Sequence, residues 1–464
     1  MLTRPGSRGA LSVFLVLAAA ALGTILWFGR GLTFWSDEWA FITDRSLGDP
    51  GTWWAPHNEH WSTVAILAYR ALIETVGLRS YVPYLLLVAV LHVLVAWMIF
   101  RIVDRGVGPR AALAAASVVL FFGAGFENLY WGFQIGFVGA MLAGLVALDA
   151  LDQAPTTPRA VLAAMALLIG VMTSGVGLFF IAAAGFMLLV EPARRRSLWV
   201  VAVPSGAYAA WFLLVGRSGI GVFREPLAPS SLAAIPSFIF GGFEAALGAA
   251  TGLAALGPGL VVLAAGAAAV GLARGARVSP LIGGLLIAVS LQYALIGVSR
   301  AGVTIDQVDY SRYTYVSGIL TVAVLALVIG PVLSRFGAVR RTSHRRLDRV
   351  AAMAVGPVLV TIALTWNLQL LVVGRTLFVD RASITRALIV ESLPPRQLTE
   401  IEASRDLILV PAPLVMRQLV ADFGSPLADV LVPWAVAPIQ EEDLTEARRR
   451  IVEGPPHFEP EAIP

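Results

Sequence analysis

The sequence predicts an all-α polytopic membrane protein of about 11 spans, with interfacial helices in its outer loops and a small mixed α/β domain at its C-terminal end. Three observations carry that expectation. Of 464 residues, 58% are apolar and only 14% are charged, against roughly 25% charged in soluble domains. Apolar runs of about 17 to 22 residues recur between Leu11 and Val373, each long enough to cross a hydrocarbon layer of roughly 30 Å as a helix. Within that layer every backbone amide needs an internal partner, so the spans must be helical. Lastly, arginines cluster at Arg4/Arg8, Arg101/Arg105/Arg110, Arg194 to Arg196, Arg274/Arg277 and Arg335 through Arg349, and the positive-inside rule assigns such short loops to the cytoplasm.

Those clusters fix a map. If every apolar stretch crossed, the 101–110 and 274–277 clusters would fall outside. Two stretches therefore lie flat as interfacial helices: 62–77, which carries Arg70 and Glu74, and 231–249, interrupted by Pro236 and Gly241/Gly242. The expected spans are 10–30, 81–100, 111–125, 134–150, 160–173, 176–190, 198–216, 256–273, 281–299, 313–333 and 351–373. The run at 10–30 reads as a first span rather than a cleaved signal peptide, because it is long, lacks a small-x-small cleavage site and precedes many more spans. The N-terminus is then cytoplasmic and the C-terminus extracytoplasmic, in an inner (plasma) membrane.

Residues 1–373 form the membrane module and 374–464 a separate outer domain. This tail has 9 Arg against 14 Asp plus Glu, whereas the part before it is basic. Segments 397–409 and 440–452 read as amphipathic helices and LILVPAP at 407–413 as a strand. The chain has no Cys, which excludes a disulfide framework, thiol catalysis and thiolate metal sites. Its basic residues are all arginine, a compositional bias that gives no reason to expect a nucleic-acid partner.

On this map the loops rich in polar and aromatic residues share the non-cytoplasmic face. The first, at 31–62, sets Asp37, Glu38, His57, Glu59 and His60 among Trp35, Trp39, Trp53, Trp54 and Trp61. Tryptophans at a membrane boundary serve as anchors, but five in one loop also suit sugars, whose C–H faces stack on aromatic rings while carboxylates accept hydroxyl hydrogen bonds. Asp37 and Glu38 are adjacent, so their side chains diverge and one of them enters a shared site. Asp37 is the expected base, raised toward useful strength by desolvation beside Trp35 and Trp39, and Glu38 the orienter or second acid. The alternative is an ordinary solvated acidic pair at a helix start.

His57, Glu59 and His60 lack the register of a zinc-protease helix; substrate hydrogen bonding, structure or metal ligation all fit them. The second loop, 125–134, brings Glu127, Asn128, Trp131 and Gln134, and an ionisable residue at the end of an apolar helix is costly unless solvated, paired or used. A divalent metal, if one binds, has Asp37, Glu127 and His60 as candidate ligands. In the segment 299–315, Arg300 and Arg312 flank Asp306 and Asp309. The arginines are either neutralised by these aspartates or grip a lipid phosphate, together with Tyr313. Arg217 and Arg224 offer a second, weaker phosphate contact, since Glu225 can pair with one of them.

An acidic pair in the first outer loop, flat helices beside it, a many-span body and an outer C-terminal domain resemble the GT-C glycosyltransferase superfamily. The motif that carries the resemblance is FWSDEW at 34–39, similar to the acidic signature in the first outer loop of protein O-mannosyltransferases, the lipid A aminoarabinose transferase and actinobacterial arabinosyltransferases. The resemblance implies transfer of a sugar from a polyprenyl-phosphate donor to a glycan, glycolipid or protein acceptor on the outer face, with Asp37 activating the acceptor. Three other functions fit the same composition: a transporter or lipid-linked glycan flippase, a polymerase or ligase of lipid-linked glycans, and a non-catalytic envelope-assembly subunit. For the transporter, His92 within a span is the candidate proton carrier unless it is a satisfied buried group.

Overall fold

A computed structural model of the chain describes residues 7–219, 229–275, 279–300, 308–340 and 346–455, with the side chains of 7, 230, 231, 299, 300 and 332–355 left aside. The structure is helical, and the described residues contain no strand beyond one isolated bridge. In order come α1 (Ser7–Gly29), α2 (Glu38–Thr43), α3 (Gly51–Trp54), α4 (Thr63–Thr75), α5 (Val82–Gly106), α6 (Pro109–Leu120), α7 (Phe126–Tyr130), α8 (Ile135–Asp152), α9 (Thr157–Thr173) and α10 (Val176–Val190). They are followed by α11 (Trp199–Leu214), α12 (Pro229–Thr251), α13 (Gly257–Ala273), α14 (Pro280–Arg300), α15 (Ser311–Arg340), α16 (Arg346–Ser392), α17 (Glu400–Ser404), α18 (Pro413–Phe423) and α19 (Glu441–Glu453).

Among the described residues nine helical stretches are long and apolar enough to cross a membrane, and α9, α10 and α11 are shorter apolar helices. The protein is therefore a multi-pass membrane protein. α1 illustrates why: 23 residues at 1.5 Å each reach about 34 Å, and no charged residue interrupts them after Arg8. α4, in the first stretch expected to lie flat, has 13 residues and reaches only about 20 Å, with Ile66, Tyr69 and Arg70 buried against its neighbours.

The second such stretch differs from its sequence reading in one respect. Pro236 and the Gly241/Gly242 pair do not break it; α12 runs 23 residues through them and is among the nine long apolar helices. The glycines serve close packing. A Cβ on Gly242 would stand 2.1 Å from the Tyr293 ring, and one on Gly297 of α14 would meet Phe238 at 3.2 Å. At its far end, the Ala249 carbonyl accepts from Asn367 Nδ2 at 3.0 Å, while Asn367 Oδ1 accepts from the Ala124 N–H at 3.0 Å.

Contacts sort the connecting segments onto two faces. On one face, Trp211 Nε1 donates to the Trp54 carbonyl at 2.8 Å, His60 packs on the backbone of Gly175, and Glu127 meets Arg312. The tail closes over the same face: the Ser36 N–H donates to the Leu409 carbonyl at 2.9 Å, Leu78 N–H to the Phe423 carbonyl at 2.9 Å, and Tyr81 N–H to Asp429 Oδ2 at 3.2 Å. Arg101 and Arg105 lie at the opposite end of the bundle, bonded to Asp149 at 3.0 and 2.6 Å; Arg105 also holds Asp152.

The tail departs from the expected mixed α/β domain. Residues 407–413 form no strand, because the backbone turns at Ile408 (φ 64°) and Leu409 spends its carbonyl on Ser36 instead of a ladder. Four helical pieces remain, α17, α18, a short 3-10 turn at Pro433–Ala435, and α19. The long α16 passes without interruption through residues 373 and 374 into this tail.

Candidate functional site

The first loop begins where α16 grips it. Arg375 donates to the Phe28 and Arg30 carbonyls, and Arg386 to those of Gly31 and Leu32. Ser36 then takes a left-handed conformation (φ 54°), uncommon for a residue with a Cβ, and turns the chain so that Asp37 opens α2. The adjacent carboxylates diverge as expected.

Glu38 points into the protein and is fully buried. Its Oε1 accepts from the Tyr69 hydroxyl and from the Tyr81 hydroxyl at 2.9 Å, and its Oε2 from the Trp35 N–H at 3.0 Å. Tyr81 in turn accepts from the Gly132 N–H at 2.7 Å, so one carboxyl joins the first loop, α4, the start of α5 and the second loop. Burial pushes Glu38 up to about 8, the donated hydrogen bonds opposing that shift. The two tyrosine hydroxyls are held well above their ordinary range, first by burial and then by the Glu38 charge.

Asp37 is half-buried and accepts no hydrogen bond among the described residues. Burial raises its carboxyl above the ordinary 3.8, and the Arg312 charge opposes the rise. Arg312 belongs to a second cluster: its N–H donates to Glu127 Oε2 at 3.0 Å, its guanidinium lies 3.8 Å from Glu127 Oε1, and it faces the Tyr310 and Tyr313 rings at 5.1 and 5.2 Å. Glu127 is 2% exposed, and its own N–H donates to Ser311 Oγ at 3.1 Å. The Arg312 charge thus reaches Asp37 from a cluster held by Glu127, and the first loop, the second loop and the start of α15 come together electrostatically.

Aromatic rings wall this junction. Trp35 lies 4.7 Å from Trp131, Trp131 5.0 Å from Phe133, and Arg381 of α16 covers the Trp35 ring at 4.7 Å. The Nε1 groups of both Trp35 and Trp131 are buried without a hydrogen-bond partner, an arrangement that costs about 1–3 kcal/mol per group unless something supplies an acceptor.

The remaining candidates take other places. His57 is wedged between Phe41 and Phe133 at 4.9 and 5.2 Å, and burial pushes it down to about 3, so the ring is neutral. His57 and His60 exchange backbone hydrogen bonds of 3.1 and 3.0 Å around Asn58 (φ 51°) and the exposed Glu59, forming a tight turn whose two imidazoles face different neighbours. Asn128 Nδ2 donates to Gln134 Oε1 at 3.2 Å, both residues being buried within the second loop. Trp61 stacks on Trp211 at 5.2 Å and Trp39 is buried, so these two tryptophans pack within the protein. Among the described residues no group of three or more His, Asp or Glu side chains is placed to hold a metal ion. Arg224 and Asp306 lie outside the described residues, as does the side chain of Arg300.

Several residues that build the site carry no motif. Arg45 donates to the carbonyls of Thr52, Ala55 and Pro56 and so folds 46–56 around one guanidinium. Tyr69, Tyr81 and Arg381 are as central; the only trace of them in the sequence is polar tips within apolar segments. His92 is a satisfied core group, with Nδ1 2.9 Å from the Tyr315 hydroxyl and Nε2 3.3 Å from the Leu120 carbonyl.

No known protein family matches the chain, and no curated protein matches it significantly. Among solved structures it is similar to ArnT from Cupriavidus metallidurans in the apo state, at 16% identity over 96% of this chain and 92% of that one, with a TM-score of 0.53. It is also similar to the archaeal oligosaccharyltransferase AglB from Archaeoglobus fulgidus in complex with an inhibitory peptide and a dolichol-phosphate, at 13% identity over 83% of this chain and 58% of that one; that TM-score, 0.41, is too low to bear on fold or site. The first likeness establishes the fold: the chain shares the overall architecture of that ArnT structure.

Proposed function

We propose that the loop face carries a glycosyltransferase site that moves a sugar from a polyprenyl-phosphate donor in the membrane to an envelope glycan, lipid or protein acceptor. The observation that carries this reading is the half-buried Asp37, whose carboxyl accepts no hydrogen bond among the described residues and feels the charge of an arginine already held by Glu127. In the reaction, Asp37 takes the proton of the acceptor hydroxyl as its oxygen bonds to the anomeric carbon. The bond from that carbon to the phosphate oxygen breaks, and Arg312 balances the charge gathering on the departing phosphate. Both contributions act mainly in the transition state. Attack opposite the phosphate inverts the anomeric centre.

Glu38 orients Asp37 by fixing the backbone next to it. Trp35 and Trp131 supply stacking faces and two unused indole donors, while Tyr313, beside Arg312, belongs to the phosphate-binding side. Arginine placement supports an inner membrane with the N-terminus cytoplasmic and the site and tail outside.

The test is turnover by purified protein supplied with polyprenyl-phosphate sugars and a membrane acceptor extract. Asp37→Asn should fold and insert normally yet lose on the order of 10²-fold or more in rate. Near-normal turnover of that variant removes Asp37 from the base role, and failure of the unsubstituted protein with every lipid-linked sugar defeats the proposal itself.

A further inference from the structure

The face opposite the loop cluster carries a cavity of about 250 Å³ between the turn joining α8 to α9 and the turn joining α10 to α11. Gln153, Thr156 and Arg159 line it from the first turn, and Arg194, Ser197 and Trp199 from the second. Leu151 and Leu188 also line it and add apolar wall. Its charge balance is cationic. Asp149 and Asp152, the nearby carboxylates of α8, are already engaged by Arg101 and Arg105. Arg194 uses Nε on Glu191, and Arg159 uses one N–H on the Ala154 carbonyl at 2.7 Å, so each guanidinium keeps further donors. The first turns of α9 and α11, neither capped by a side chain, add backbone N–H groups beside the same space.

Its depth is that of the membrane boundary. Trp199 of the lining is 41% exposed, and Leu189 and Val190, which follow the lining Leu188 at the end of α10, are about half exposed, a setting in which an amphipathic indole sits at headgroup level above acyl chains. Guanidiniums suit phosphate oxygens, and a basic pocket between spanning helices suits an acidic headgroup.

We propose that this cavity binds the phosphodiester headgroup of an anionic phospholipid, with Arg159 and Arg194 on the phosphate, Gln153, Thr156 and Ser197 on headgroup hydroxyls, and the acyl chains leaving past Trp199. The site is separate from the Asp37 junction and stands independently of sugar transfer.

The experiment is native mass spectrometry of the full-length protein in detergent, titrated with phosphatidylglycerol, phosphatidylcholine or inorganic phosphate. One phosphatidylglycerol should be retained in preference to phosphatidylcholine. The variants Arg159→Gln and Arg194→Gln should each weaken retention about fivefold. Ser197→Trp, which fills the cavity and keeps both arginines, should abolish retention while thermal stability is unchanged. Equal retention of the two lipids, undiminished retention in Ser197→Trp, or displacement of the lipid by equimolar inorganic phosphate would overturn the proposal; the last would show a site for free phosphate instead.

Discussion

Glu127 holds Arg312 twice, accepting its backbone N–H at 3.0 Å and lying 3.8 Å from its guanidinium. The pair fixes a cation beside Asp37 without consuming it, since the side chain keeps donors beyond this long contact. A residue in the first turn of a short helix in the second loop thereby influences the electrostatics of a residue in the first.

Arg312→Gln follows from this. The Arg312 charge holds the Asp37 carboxyl down against burial, so its removal lets the pKa rise. If Asp37 is the base, rate climbs with pH as it deprotonates, and the acid limb of kcat/KM should move to higher pH in the variant, with a weaker KM for the donor. A pH profile measured on both proteins checks this, and an unmoved limb separates Arg312 from Asp37.

Glu38 supplies a stability prediction. Its folded pKa, about 8, exceeds the ordinary 4.5, so the folded protein binds the extra proton and stability is lost as pH rises between those values. His57, folded near 3 against an ordinary 6.5, acts the other way below 6.5. The window from 6.5 to 8 isolates Glu38: thermal stability should fall there by about 1 kcal/mol per pH unit. Glu38→Gln should flatten the slope, and an identical slope in the variant would rule Glu38 out as its source.

Gly31 tests the docking of the tail. It has φ 82°, and a Cβ there would stand 2.3 Å from the Ala435 carbonyl. Gly31→Ala should cost about 1–3 kcal/mol through backbone strain and this clash. Faster limited proteolysis between α18 and α19 would report it, and unchanged cleavage would show that the tail does not rest on this contact.

Much of the fold was legible because lipid restricts the chain so severely. Apolar length located helices at the expected spans, although α9, α10 and α11 are short and α12, expected to lie flat, is as long as the others; the short α4 fell where Arg70 and Glu74 interrupt that length. Pro236 and Gly242 misled as breakers, because a proline inside a helix removes a single backbone bond that a long, packed helix can forgo and a glycine can mark a ring packed against it. LILVPAP misled for a complementary reason: its composition fits a strand, but among the described residues no strand lies beside it, and Ser36 takes the Leu409 carbonyl.

The site was legible only as a list of parts. FWSDEW located the carboxylates, but nothing local separates Glu38, closed in by Tyr69 and Tyr81, from Asp37, which faces Arg312. That distinction depends on partners 31 and 43 residues away for Glu38, and farther for Asp37. The His57 to His60 turn was ambiguous because both imidazoles occupy one short segment, and only folding sends one between phenylalanines and the other against Gly175.

The 47-residue rod of α16 has a mechanical corollary. Its Arg375 and Arg386 are bolted to the carbonyls that lead into the acidic pair, and its end carries the cap formed by the tail. Because the helix is continuous, the tail and the segment in front of Asp37 are anchored to one and the same shaft.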